Sequence, residues 1–279
     1  MLSLLISLIG TAAVVAACFA AGFSPVEASG AGVAAFIVLQ VGIGFVVRRK
    51  IKKVQSGLQE MMENGQKQMN RKVQMFQSKP GGNIKQIQRQ LESDQKKLIT
   101  QALEFVDRLE PFKKWNLMIG RQIDTMRMQF LYQLKEFEEV DRILSKSGLF
   151  TGPVMLEPTA IAMKIARQYK NEGAAKAEKT FKRRIKWFRG NRGKLLYGLM
   201  SWMYVKEGEA EKAHQLLIKG ADATGDETLA RNLEMLANKK EKSFSNAGLG
   251  DEWYALYLEN PPAPKQKRMR GNPRSGRMF

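Results

Sequence analysis

The sequence predicts an all-α protein: two transmembrane helices, then long amphipathic helices, then a stack of helix pairs. Three observations predict it. Residues 1–23 and 30–47 are apolar runs without a single Lys or Arg. From 48 to 109 apolar side chains recur three and four residues apart. Beyond 112 the order apolar helix, charged turn, second helix returns three times. The chain divides accordingly into a hairpin (1–47), a juxtamembrane stalk (48–111), a helical body (112–259) and a basic tail (260–279).

Each apolar run approaches the roughly 20 residues a helix needs to cross hydrocarbon. The first, MLSLLISLIGTAAVVAACFAAGF, carries no charged side chain, and the second, GAGVAAFIVLQVGIGFVV, has one polar intruder, Gln40. SPVEAS at 24–29, with Gly22, Pro25 and Gly30, supplies the connecting loop. Ala12, Ala16 and Ala20 on one helix and Ala31 and Ala35 on the other are small residues at helical spacing, expected where two backbones approach in lipid. No basic stretch precedes the first run, which disfavours a cleaved secretory signal and a lipoprotein reading of Cys18.

Charge sets the orientation. Of 279 residues, the first 47 hold one acid, Glu27; the rest hold all 46 basic residues and 26 of the 27 acidic ones, a formal +20. Arg48, Arg49, Lys50, Lys52 and Lys53 follow the second run at once. The positive-inside rule then expects the body in the cytoplasm and the 24–29 loop outside, as in a bacterial inner membrane, with these five cations against the anionic inner leaflet. A single cysteine excludes an intrachain disulfide, and a single histidine, His214, excludes clustered Cys/His metal sites. No cofactor is expected.

In the stalk, Ile51, Val54, Leu58, Met61, Met62, Met69, Val73 and Phe76 form one apolar stripe. Lys79-Pro80-Gly81-Gly82 ends it, and Asn83 with Gln86 is suited to cap the next helix. That helix repeats Ile84, Leu91, Leu98 and Phe105 every seven residues, with Ile87, Ala102 and Leu109 on the same side, and Pro111 marks its end. An antiparallel helical hairpin is expected, packed on the body or joining a second copy in a homo-oligomer.

The body repeats a pattern over 123–144, 160–181 and 195–217, with Leu131, Tyr169 and Tyr204 at equivalent points 38 and 35 residues apart. Tyr204, Gly208 and Ala213 place a large residue, a turn and a small residue in sequence; Tyr169 and Gly173 do so with the following Ala displaced by one, and Leu134–Val140 is a further matching run. In these residues the body resembles the tetratricopeptide repeats, whose period is about 34 residues. The resemblance covers roughly 120–245 and implies stacked helix pairs and a protein-binding role, with Ala166 or Ser201 as the small residue of the first helix. The spacing is irregular, most closing prolines are missing, and Gly220 stands where the family has Ala. A helix over about 226–242 and a short terminal one over 251–258, covering the end of the array through Trp253, Leu256 and Tyr257, complete it.

Two further basic segments bear on partners. Residues 179–206 contain no acid and include Lys182, Arg183, Arg184, Lys186, Arg189, Arg192 and Lys194, interleaved with Phe181, Trp187, Phe188 and Tyr197. The cations suit an anionic partner; the aromatic spacing suits core positions. The tail carries Lys265, Lys267, Arg268, Arg270, Arg274 and Arg277 without an acid, and its Pro- and Gly-rich composition predicts disorder. No phosphate-binding Gly loop, GxSxG elbow or HExxH motif is present, so no enzyme is expected. The leading expectation is an adaptor that recruits a protein partner to the cytoplasmic membrane face. RNA or ribosome binding through the basic segments, and self-assembly through 51–109, are the alternatives.

Overall fold

The computed structural model describes residues 2–78, 84–115, 117–146 and 152–261. Among them there are eleven α-helices, short 3₁₀ turns and no strand. The predicted PGG break and the basic tail lie outside the described residues. The chain divides into two units, Met1–Arg167 and Gln168–Phe279.

The first unit opens with α1 (Leu2–Ala20) and α2 (Pro25–Ser78), both long and apolar enough to cross a membrane. They pair as an antiparallel hairpin, but the loop is shorter than the expected 24–29. The Ser24 amide and hydroxyl both donate to Glu27 Oε2, at 3.0 and 2.7 Å, and the Glu27 amide donates back to Ser24 Oγ at 3.4 Å. This capping box, with Pro25 in the first helical position, starts α2 five residues early. The contact face also differs from the alanine stripe. Ala12, Ala16 and Ala20 are exposed, whereas a Cβ on Gly10 would lie 2.6 Å from Leu39 and one on Gly32 2.6 Å from Val15. The helices therefore approach through glycines, and large side chains such as Ile9, Val38 and Phe45 point outward.

Helix α2 runs on without a break past the basic cluster for 54 residues, about 81 Å at 1.5 Å per residue. The predicted stripe from Ile51 to Phe76 is buried or half-buried throughout. Helix α3 (Ile84–Asp107) returns along it, with Leu98 lying over Gly65 and Lys72 paired to Asp94 at 2.6 Å. At the base, Ile51 joins Val106, Leu109 and Ile123 in a buried cluster flanked by Val47, Val54 and Phe112. Pro111 sits in the 3₁₀ turn Glu110–Lys114 that leads to α4 (Leu117–Gln133) and α5 (Phe137–Ser145). The Ser3 hydroxyl donates to the Trp115 carbonyl at 3.1 Å, which puts the start of α1 at this same base. Arg127 bridges Asp107 and Glu110 at 2.6 and 2.7 Å. Burial pushes the Glu110 carboxyl up, but hydrogen bonds and charge from Lys113 and Arg127 outweigh it and hold the group below its usual value. Helix α6 (Pro158–Glu172) begins in this unit, where Arg167 pairs with Asp141 of α5 at 2.5 Å.

In the second unit α8 (Lys194–Lys206) is the central helix. Leu195, Leu196 and every residue from Gly198 to Tyr204 are buried, as expected of a helix apolar all round. Around it lie α7 (Ala174–Arg184), α9 (Ala210–Thr224), α10 (Glu227–Ala237) and α11 (Asp251–Tyr254). Gly220 has a packing reason: a Cβ there would meet the Tyr197 ring at 2.9 Å. Asp226 caps α10, accepting from the Thr228 and Leu229 amides. The helix ends at Ala237, short of the expected 242, because Lys239 turns to φ +55°.

Two of the three predicted turns have one geometry. The Glu136 amide donates to the Leu131 carbonyl at 2.9 Å, and the Glu209 amide to Tyr204 at 2.8 Å, around Lys135 and Gly208 at φ +64° and +76°. This is the Schellman closure of a helix C-terminus. It recurs a third time at the end of α10, where the Lys240 amide donates to the Met235 carbonyl at 2.8 Å. The α6–α7 turn is one residue tighter: Gly173, at φ +85°, is itself the N-cap of α7, which displaces the following Ala.

The segment 244–261 is held by one buried and one partly buried polar link. The Asn246 amide nitrogen donates to the Gly198 carbonyl at 2.8 Å while its oxygen accepts from Asn232 at 3.0 Å. Trp202 and Trp253 donate their indole N–H groups to the two oxygens of Glu259, at 2.7 and 2.8 Å. Leu256 is also buried, and Tyr257 only half-buried. Asn246→Ala leaves the fully buried Asn232 amide N–H₂ without its acceptor and removes the side-chain donor to the Gly198 carbonyl, and is expected to destabilise the second unit by about 1–3 kcal/mol. Urea unfolding of the full chain in detergent checks this; Asn191→Ala, on the surface, should stay within about 0.5 kcal/mol.

Candidate anion-binding surfaces

Two of the three basic segments lie among the described residues. On α2, Arg48, Arg49, Lys50, Lys52 and Lys53 are all exposed. The helix turns Val47, Ile51 and Val54 into the base core, so the cations are left on the outer faces. There Phe45 and Val46 floor an open cavity of about 610 Å³ rimmed by Arg49, Lys50, Lys52 and Lys53. Apolar floor and cationic rim adjoin because Phe45, Arg49 and Lys52 are spaced by four and three residues on one face.

The second surface is the connection from α7 to α8. Helix α7 ends at Arg184; 3₁₀ turns at Ile185–Trp187 and Gly190–Gly193 then carry the chain into α8. Lys182, Arg183, Lys186, Arg189 and Arg192 are exposed, and Arg184 and Lys194 half-buried. Lys182 pairs with Glu178 at 2.5 Å, an acid just outside the acid-free run. Among the described residues no carboxylate pairs with Arg183, Lys186, Arg189, Arg192 or Lys194. The cations at the end of α7 complement its dipole. Those at the start of α8 oppose it: the N-cap is Gly193 without a side-chain cap, and the first turn has no acid. Positive potential therefore accumulates at this connection.

The four interleaved aromatics separate. Phe181 and Phe188 are buried, and Tyr197 packs edge-on against Phe181 with centroids 5.7 Å apart. Arg192 lies over the Phe188 ring at 5.6 Å. Trp187 alone of the four is out, 70 % exposed. Phe181, Phe188 and Tyr197 take the expected inward positions, whereas Trp187, one residue off the seven-residue spacing of Phe181 and Phe188, does not.

His214 is half-buried in α9. The Tyr169 hydroxyl donates to Glu207 at 2.9 Å, and burial together with that bond pushes it up to about 12. Burial and the neighbouring Glu178 raise Tyr204 as well. Among the described residues no group of three or more His, Cys, Asp or Glu is placed to hold a metal ion. The third segment, Lys265 to Arg277, lies outside the described residues. No family model, no curated protein and no solved structure matches the chain.

Proposed function

We propose that the chain is a membrane-anchored scaffold of tetratricopeptide-like helix pairs that recruits a protein partner to the cytoplasmic face of a bacterial inner membrane. The observation that carries the reading is the continuity of α2. One helix runs from the outward-facing apolar hairpin into the base core at Ile51, where it packs with Val106, Leu109 and Ile123 of the first unit, so the hairpin continues without a break into the start of the helical body. The outward apolar side chains of the hairpin suit hydrocarbon and not water. The five cations that follow oppose translocation, which favours residues 48 onward inside and the tip near Ser24 outside. The closed turns at Leu131–Glu136 and Tyr204–Glu209 each join two successive helices, which supports a body of helix pairs. No catalytic role is proposed.

The test is gentle detergent extraction of the full chain from membranes, with and without nuclease, followed by quantitative protein identification. A protein recovered in stoichiometric amount and retained after nuclease supports the scaffold. Recovery of lipid alone would remove it, and recovery of RNA or ribosomal proteins that nuclease releases would replace it with the nucleic-acid reading.

A further inference from the structure

We infer that the α7–α8 connection is a docking surface for anionic phospholipid, with Trp187 seated at the headgroup level of the bilayer. The inference rests on the anchored reading above and adds a second membrane contact, made by the second unit.

The argument starts from the sorting of the aromatics. A single-stranded nucleic acid is bound by stacking successive bases on several outward rings. This connection offers one, since Phe181 and Phe188 are buried and Tyr197 packs on Phe181. A lone exposed indole ringed by cations has another physical use. Indole is amphipathic and prefers the boundary between hydrocarbon and headgroups. Arg183, Lys186, Arg189 and Arg192 are exposed within six residues of Trp187 on either side. They provide the charge that attracts an anionic leaflet. Trp187 is 70 % exposed in a unit that buries Trp202 and Trp253.

Weak attraction suffices here. A chain already held at the bilayer by α1 and α2 presents the surface at a high effective concentration of lipid, so the second contact is intramolecular. The same patch on a freely diffusing protein would bind lipid poorly.

The experiment uses the full chain reconstituted into vesicles of phosphatidylcholine alone or phosphatidylcholine with phosphatidylglycerol, with brominated acyl chains as quenchers. The difference in emission between the native chain and Trp187→Phe isolates Trp187 from the other three tryptophans. In phosphatidylglycerol vesicles that difference should be quenched and blue-shifted. High salt should reverse both. Each neutralised cation in the series Arg183→Gln, Lys186→Gln, Arg189→Gln should lower the docked-to-free ratio about fivefold. Unquenched emission in both compositions would overturn the inference while leaving the anchor intact, because carbonate-resistant flotation with the vesicles reads the anchor separately. Emission that responds to added single-stranded RNA and not to lipid would overturn it in favour of base stacking. A chain that does not float with vesicles would overturn both.

Discussion

Trp253→Ala is expected to destabilise the second unit by about 3–5 kcal/mol, the cost of truncating a fully buried tryptophan. Trp253 is 0 % exposed and packs edge-on against Trp202 with centroids 5.6 Å apart. Its indole N–H also holds one oxygen of Glu259, whose other oxygen is held by Trp202. Truncation removes the ring, leaves a cavity beside α8 and frees half of the Glu259 carboxylate. Trp187→Ala is the matched control: the same residue type, 70 % exposed, should change stability by no more than about 0.5 kcal/mol. Chemical denaturation of the full chain in detergent, followed by near-ultraviolet circular dichroism, separates the two. Equal losses for both variants would contradict the assignment of one tryptophan to the core and the other to the surface.

The second large effect concerns orientation. Replacing Arg48, Arg49, Lys50, Lys52 and Lys53 by Gln and adding Phe23→Lys and Ser24→Lys reverses the charge bias across the hairpin. On an insertion scale each Lys or Arg at the bilayer centre costs about 2.5–3.5 kcal/mol, so in the proposed orientation five cations would oppose export of residues 48 onward, and two at the tip would oppose export of the loop. The variant should insert with mixed or inverted topology. Protease added to spheroplasts should digest its body, while the body of the native chain is protected. A variant protected as fully as the native chain would show that something other than this cluster orients the hairpin.

The legibility of the fold follows the length of each signal. The stripe from Ile51 to Phe76 repeats over several turns, and every member is buried or half-buried. The turns of the body were placed because Gly208 and Gly173 mark them. Short or context-dependent features were harder to read. The Ser24–Glu27 capping box is four residues long and was hidden by Pro25, which reads equally as a loop residue. Lys135 and Lys239 take positive φ without being glycine, so the end of α10 carried no local mark. The alanine stripe of α1 has the right spacing but lies on the exposed face, since the closest approach selects Gly10 and Gly32. Among the basic surfaces, the α2 cluster was legible because a long helix fixes its faces. The patch around Trp187 was only half legible: its charge and the seven-residue spacing that separates Phe181 and Phe188 from Trp187 are in the sequence, but the change to 3₁₀ turns after Arg184 is not.

The central claim, that the apolar hairpin crosses the bilayer and leaves the body on the far side from its tip, is tested most directly by cysteine labelling in intact cells. In a Cys18→Ser background, a single cysteine is placed at the tip (Ser24→Cys) or in the body (Lys240→Cys) and exposed to a membrane-impermeant maleimide. Labelling of the tip in intact cells, with the body labelled only after permeabilisation, is the predicted result. A body labelled from outside, or a chain found in the soluble fraction, would contradict it.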